Sequence, residues 1–264
     1  MSRPPELKTS AELSRLGSFA PHFHELTIDD AWRAEVQALG RHGRLRTFAQ
    51  RLARLYLSDF DANALTGMYQ MLLLPEHAFR SLLAGRTGGR LLDVGAGSGD
   101  VTAKLAPCFD QLEATEVSRG MAKKLTKRGV RCHAVDLTEA PLPDQSFDAV
   151  SLLNVLDRCE RPRRLLRHCL QALRPGGTFL VALALPYRPF YFDGPTTPEP
   201  RERLECDPGP SGAWEDAARR FVERDLLPLD LTLERFSRAP YLSAGDSKSS
   251  LYELDDVVAV LTKR

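Results

Sequence analysis

The sequence predicts an α/β protein built on a parallel, doubly wound sheet, and three observations carry that expectation. Strand-like and helix-like segments alternate from residue 90 to residue 185, the order that a parallel sheet with crossover helices requires. The first of these strands runs straight into Gly95-Ala96-Gly97-Ser98-Gly99 before a helical pattern resumes, so small residues turn the chain sharply from strand to helix. Residues 179–185, Phe-Leu-Val-Ala-Leu-Ala-Leu, are apolar without interruption, as a strand covered on both faces must be.

Taken in order, residues 1–43 are polar and read as a partly flexible N-terminal extension to a domain spanning 44–264. Within the extension an amphipathic helix is expected over 28–39, capped by Thr27 or Asp29. Leu45, Phe48, Ala49, Leu52, Leu55 and Tyr56 recur at helical spacing. A second helix is expected from Pro75, as its first helical residue, to Gly85. These helices, within 44–86, form an N-terminal helical cap. The alternation then gives strand 90–94, helix 100–106, strand 111–116, helix 119–127, strands 130–135 and 147–153, helix 162–173 and strand 178–185. Seven prolines between Pro186 and Pro210, with Tyr187, Phe190, Tyr191 and Phe192 among them, exclude regular structure there. The aromatic start of that stretch is expected to face substrate, and disorder is expected nearer 195–210. A helix over 213–224, a strand near 229–235 and a last strand within 251–261 complete the chain.

With 43% hydrophobic residues among 264, the chain has ample material for a core. Lys+Arg 36 against Asp+Glu 35 gives a formal charge of +1, so nothing global favours nucleic acid or an anionic membrane as partner. Arg161, Arg163, Arg164, Arg167 and His168 fall on one expected helix and read as its solvated face. Five cysteines, odd in number and without a C-x-x-C pair, suit a reducing, cytoplasmic location. No secretory signal and no apolar run of membrane-spanning length is present, and a monomer is the expected state.

The glycine turn points to a nucleotide-like cofactor. A dinucleotide fingerprint places its third glycine five residues after the first, where this chain has Asp100. Asp93 and Asp100 would thus flank the turn, repelling a pyrophosphate and suiting a ligand with an ammonium and a sulfonium, as S-adenosylmethionine has. Other strand ends offer matching groups. Glu116, 21 residues beyond Gly95, is placed to accept ribose hydroxyls. Asp136 is placed to meet an adenine amino group or to hold its own loop. Asn154 follows the next strand, with Asp157 and Arg158 close behind.

Residues 91–102 (Leu-Leu-Asp-Val-Gly-Ala-Gly-Ser-Gly-Asp-Val-Thr), 114–116 (Ala-Thr-Glu), 153–159 (Leu-Asn-Val-Leu-Asp-Arg-Cys), 182–189 (Ala-Leu-Ala-Leu-Pro-Tyr-Arg-Pro), 239–246 (Ala-Pro-Tyr-Leu-Ser-Ala-Gly-Asp) and 252–258 (Tyr-Glu-Leu-Asp-Asp-Val-Val) resemble the DREV family. Its known activity is methylation of protein histidine at the N-pros (Nπ) nitrogen, in His-x-His segments with small neighbours. The resemblance runs from about residue 45 to the C-terminus. It implies a Rossmann-like class I methyltransferase fold, a seven-stranded mostly parallel sheet with an antiparallel last strand, and S-adenosylmethionine as methyl donor. Asp93, Gly95, Gly97, Gly99, Glu116, Asp136, Asn154 and Tyr241 are then the cofactor-binding candidates. Asp157, Arg158 and Tyr252 match the side that receives the target histidine.

Methyl transfer from a sulfonium needs in-line attack by a lone pair and no metal. A carboxylate that accepts the Nτ–H of a neutral imidazole exposes Nπ and stabilises the imidazolium that forms, and Asp157 is the candidate for it. Tyr252 is placed to orient the ring. Two alternatives stay open: a methyltransferase for a small imidazole or other small molecule, and a catalytically silent S-adenosylmethionine-binding module. His22-Phe23-His24 reads as local loop chemistry without a ligand role.

Overall fold

The computed structural model describes residues 6–39, 70–142, 146–191, 196–206, 212–244 and 251–264. Seven α-helices are described: α1 (Leu13–Leu16), α2 (Asp30–Ala38), α3 (Glu76–Leu83), α4 (Asp100–Leu105), α5 (Arg119–Lys127), α6 (Pro162–Ala172) and α7 (Trp214–Arg220). The strands are β1 (Met71–Leu72), β2 (Arg90–Val94), β3 (Gln111–Thr115), β4 (Arg131–His133), β5 (Phe147–Leu153), β6 (Leu173–Leu185), β7 (Leu231–Ala244) and β8 (Leu251–Lys263). The helix expected near 45–57 lies outside the described residues.

All eight strands join one sheet in the order β1-β7-β8-β6-β5-β2-β3-β4. The five central strands pair in parallel, β6 through β5, β2 and β3 to β4. β8 runs antiparallel between β6 and β7. This is a doubly wound, Rossmann-like arrangement with a reversed last strand, and β1 adds a two-residue eighth member at the β7 edge.

Helices cover both faces. The larger core joins α6 and α7, through Leu166, Cys169, Trp214 and Ala218, to Leu152, Phe179 and Val257 of the sheet. The other joins α3 through Phe79 and Leu82 to Leu91, Leu180 and Val258. Val257 and Val258 serve opposite cores because side chains alternate along a strand.

Element starts follow their capping residues. Asp29, not Thr27, opens α2 by accepting the Trp32 N–H at 2.8 Å, and Ser118 opens α5 by accepting that of Met121 at 3.2 Å. Pro75 stands one position earlier than expected, as the N-cap of α3. β7 continues well past residue 235 and carries Pro240 opposite Asp255.

Two stretches that read as loosely held are packed. In the N-terminal segment, Leu16 is fully buried in the larger core. Phe23 bridges in parallel to Phe236 and stacks edge-on against its ring at 5.5 Å between centroids. In the proline-rich segment, where disorder was expected, Leu204 and Cys206 are buried, and the Glu205 N–H bonds to Asp225 Oδ1 at 2.8 Å. The apolar side chains there found a core surface that composition alone could not reveal.

Candidate cofactor and methyl-acceptor site

The carboxyl ends of β2, β3, β5 and β6 meet along one edge of the sheet, and β8 brings its beginning there because it runs against them. Between β2 and α4 the chain turns through Gly95, Gly97 and Gly99 with φ of 69°, 58° and 81°. That left-handed region strains any residue bearing a Cβ. At Gly95 a Cβ would also stand 2.7 Å from Val155 Cγ2, so the turn rests directly on the segment after β5.

Glu116 lies just past β3 and ties this turn down. Its Oε2 accepts the Gly97 N–H at 2.8 Å and its Oε1 the Ser118 N–H at 2.8 Å. Asp93 is buried, and its carboxylate accepts hydroxyls from Thr102 at 2.6 Å and Ser151 at 2.6 Å. Burial lifts its pKa above the ordinary carboxylate value, against the pull of those two hydroxyls. Asp100 is bound by Ser98 at 2.6 Å and by Arg128 at 3.0 Å. The picture of two free carboxylates flanking the turn is therefore corrected: one braces α4 and β5 from the interior, and the other is ion-paired.

Asp136 holds its own loop, accepting the Thr138 N–H at 2.7 Å and hydroxyl at 2.6 Å. Next to these two acids in the chain, Val117 and Val135 are 59% and 40% exposed. The sequence reading passed over both. Their signal was an apolar β-branched side chain beside each acidic strand end, where polar loop residues are the norm.

Past β5, Asn154 adopts φ 59°, a conformation asparagine tolerates better than most residues. Its N–H bonds to Ala182 O at 3.1 Å, while its buried side-chain Oδ1 has no hydrogen-bond partner among the described residues. Asp157 is 3% exposed. Arg158 Nη1 holds its Oδ2 at 2.5 Å, and its Oδ1 is also buried without a partner. Burial lifts Asp157 to about 6 against the opposing charge of Arg158. The Arg158 guanidinium lies 4.1 Å from the Phe190 ring centroid, and the Phe190 N–H donates to Asp157 O at 3.0 Å. The aromatic start of the proline-rich segment is thereby fixed beside Asp157.

Tyr241, on β7, reaches the glycine turn through Met71. Its hydroxyl donates to Met71 Sδ at 2.7 Å, and Met71 Cε is 3.4 Å from where a Cβ on Gly97 would stand. Burial pushes the Tyr241 phenol upward, so it remains neutral. Tyr252 sits opposite Ser243 at the start of β8 and is 37% exposed.

Asp256 was not anticipated. It is fully buried on β8, between Ala184 of β6 and Ala239 of β7, and among the described residues neither carboxyl oxygen has a well-formed hydrogen bond, although the Asn154 side chain lies close enough to favour its ionised form. Burial raises its pKa well above the carboxylate range. The signal was a second acid opening an apolar run, Asp255-Asp256-Val257-Val258-Ala259-Val260.

The edge thus combines a glycine turn braced by Glu116 with a buried end rich in acceptors and poor in donors. Such an end suits a ligand that brings N–H groups or positive charge. His22 and His24 lie away from it, at 3.1 Å from Glu234 O and 2.7 Å from Ser81 Oγ, where they anchor the N-terminal segment. Among the described residues no cluster of His, Cys, Asp and Glu is placed to hold a metal ion, and no helix is long and apolar enough to cross a membrane.

A family model described as DREV methyltransferase matches residues 41–263. The demethylmenaquinone methyltransferase of Clavibacter sepedonicus is 34% identical over 99 residues, 36% of this chain and 40% of that protein. The ubiquinone/menaquinone biosynthesis C-methyltransferase of Pseudomonas fluorescens is 31% identical over 107 residues, 36% of this chain and 42% of that protein. The chain therefore spans less than half the length of these curated relatives. Among solved structures, the N-methyltransferase NodS of Bradyrhizobium japonicum with S-adenosyl-L-homocysteine is 18% identical, covering 71% of this chain and 85% of that one at a TM-score of 0.46. The [4+2]-cyclase SpnF is 18% identical, covering 81% and 96% at a TM-score of 0.49.

Proposed function

Because the chain belongs to the DREV methyltransferase family, we propose that it transfers a methyl group from S-adenosylmethionine to the Nπ nitrogen of histidine in His-x-His segments of proteins. The observation that carries the histidine reading is Asp157, a buried carboxylate with one oxygen held by Arg158 and the other open.

The residues present fit the donor. A turn with glycine at 95, 97 and 99 admits close approach of a ligand to main-chain N–H groups. Glu116 would receive the ribose hydroxyls, Val117 and Val135 would pack on the adenine, and the loop held by Asp136 would border its edge. Tyr241 and Met71 would support the turn, and Asp93 would act from the interior by holding α4 and β5. When bound, S-adenosylmethionine supplies a methyl group already joined to its leaving group, so the chain needs no acid for departure.

Asp157 Oδ1 would accept the Nτ–H of a neutral target imidazole. That fixes the tautomer and leaves the Nπ lone pair free. Because Asp157 titrates near 6, it is largely ionised at neutral pH, balances the positive charge that develops on the ring, and can take up the Nτ proton afterwards. Arg158 keeps Oδ2 out of that exchange, and Phe190 keeps Arg158 in place. Tyr252 would orient the ring or a neighbouring histidine from the exposed side. The protein is proposed to act as a cytoplasmic monomer on protein or peptide substrates.

The test is transfer from methyl-labelled S-adenosylmethionine to an Ala-His-Ala-His peptide, with free histidine and imidazole in parallel. Label should appear in the peptide, at the nitrogen that co-elutes with an Nπ-methylhistidine standard. Label confined to the small molecules would replace this reading with a small-molecule methyltransferase.

A further inference from the structure

Among the described residues, four buried acceptor atoms where the strand ends meet lack a well-formed hydrogen bond: Asn154 Oδ1, Asp157 Oδ1 and both oxygens of Asp256. Burying a polar atom without a hydrogen bond is costly, and the Asn154 amide beside Asp256 is the one uncharged side-chain donor that favours its ionised form. Val155 joins this group to the glycine turn, since it occupies the space that a Cβ at Gly95 would need. Strand alternation also puts Asp256 on the same face of β8 as Tyr252 and Val258, hence on the side of the core that holds α3.

We propose that Asp256 is a charge-recognition residue of the donor site: with Asn154 and Asp157 it forms an acceptor-rich recess that separates the sulfonium donor from the neutral thioether left after transfer. The proposal rests on S-adenosylmethionine being the donor. Asp256 is 0% exposed, so it acts as a positioning residue, through Asn154 and by its charge, rather than by contact. In the interior a unit charge is weakly screened, and its effect on a neighbouring cation is correspondingly large.

The surroundings set the sign. Burial, Asp157 and Asp255 all oppose ionisation of Asp256, while the Asn154 side chain and Arg158 favour it. On the flanking strands it faces only alanines in register, Ala184 and Ala239. Asp255 is itself neutralised by Arg238. Tyr241, which Asp256 and Asp157 push further from ionisation, remains a neutral phenol. Without a ligand cation Asp256 therefore keeps its proton, and a sulfonium favours its release.

The experiment is calorimetric titration of the whole chain with S-adenosylmethionine and with S-adenosylhomocysteine from about pH 6 to about pH 9, for the native protein and Asp256→Asn. The sulfonium lowers the ammonium pKa of its own amino-acid head, so the heads of the two ligands titrate differently, and Asp256→Asn supplies the reference for that contribution. In the native protein the preference for the sulfonium ligand should grow about tenfold more across the range than in Asp256→Asn, while the variant binds the thioether within about twofold of native. Equal weakening of both ligands in the variant, or the same pH dependence of the ratio in both proteins, overturns the inference. Failure of both ligands to bind the native protein overturns the donor assignment itself. Should Asp256→Asn not fold, proton release by the native protein at about pH 6, in two buffers of different ionisation enthalpy, decides: more protons must leave with the sulfonium than with the thioether.

Discussion

Asp157 holds its two oxygens in different states, one fixed by Arg158 and one open, and this asymmetry makes its role measurable. Asp157→Asn should bind S-adenosylmethionine normally by calorimetry and lose at least about a hundredfold in transfer rate, the scale of a positioned proton acceptor. In the native protein the acid side of kcat/KM should record two protons, one on Asp157 near 6 and one on the substrate imidazole near ~6.5. Below both values the rate should fall more steeply than tenfold per pH unit, and a limb of unit slope would leave Asp157 without a part in proton transfer. Gly95→Ala tests the turn: its φ of 69° costs a Cβ-bearing residue about 1–2 kcal/mol, and the collision with Val155 adds to that. Lowered melting temperature together with lost donor binding is the expected result. The placement of Gly95, Glu116, Asn154 and Asp157 just past strand ends was legible from the sequence, because apolar runs and the glycine turn mark where those strands stop. Met71, Val155 and Asp256 were not, because each acquires its meaning from a neighbour far away in the chain.

β7 shows why some elements read less well than others. The strand expected near 229–235 stops short of Pro240, a residue that cannot donate to a ladder. The strand runs on through it because β1 pairs with Leu242 and Ser243, which among the described residues leaves that side of Pro240 without a strand neighbour. β2, β5 and α5, by contrast, have the limits expected of them, since glycines, caps and continuous apolar runs set those limits locally. The segment before α2 could not be read as core from its polar composition. Its sparse apolar residues nevertheless cover Phe236 and Trp214. A chain beginning at residue 40 would lose the half-buried Phe23 and the buried Leu16, Leu26, Trp32 and Val36, and full burial of such an aliphatic side chain contributes about 1.5–3 kcal/mol. Its melting temperature by calorimetry should fall by at least about 10 °C, and an unchanged value would mean that the segment only rests on the surface.

Over the whole molecule, Asp93, Asp157 and Asp256 all have pKa values raised by burial. A raised folded-state value means that the folded chain binds more protons than the unfolded one. The stability this provides is complete below the ordinary carboxylate range near ~4. It is lost as pH rises through the folded values, about 6 for Asp157 and well above the ordinary carboxylate value for Asp256. Unliganded protein should therefore melt at lower temperature at about pH 8 than at about pH 5, and Asp256→Asn should flatten that dependence. A melting temperature that climbs over this range would contradict the buried, protonated state. The contact between Gly95 and Val155 reaches beyond stability. Val155 lies two positions from Asp157, so the glycine turn and the segment that carries Asp157 share one packing contact. On the proposed reading, a side chain enlarged at Gly95 would displace the histidine-facing carboxylate as well as the donor, and the two bound partners would be coupled through a single valine.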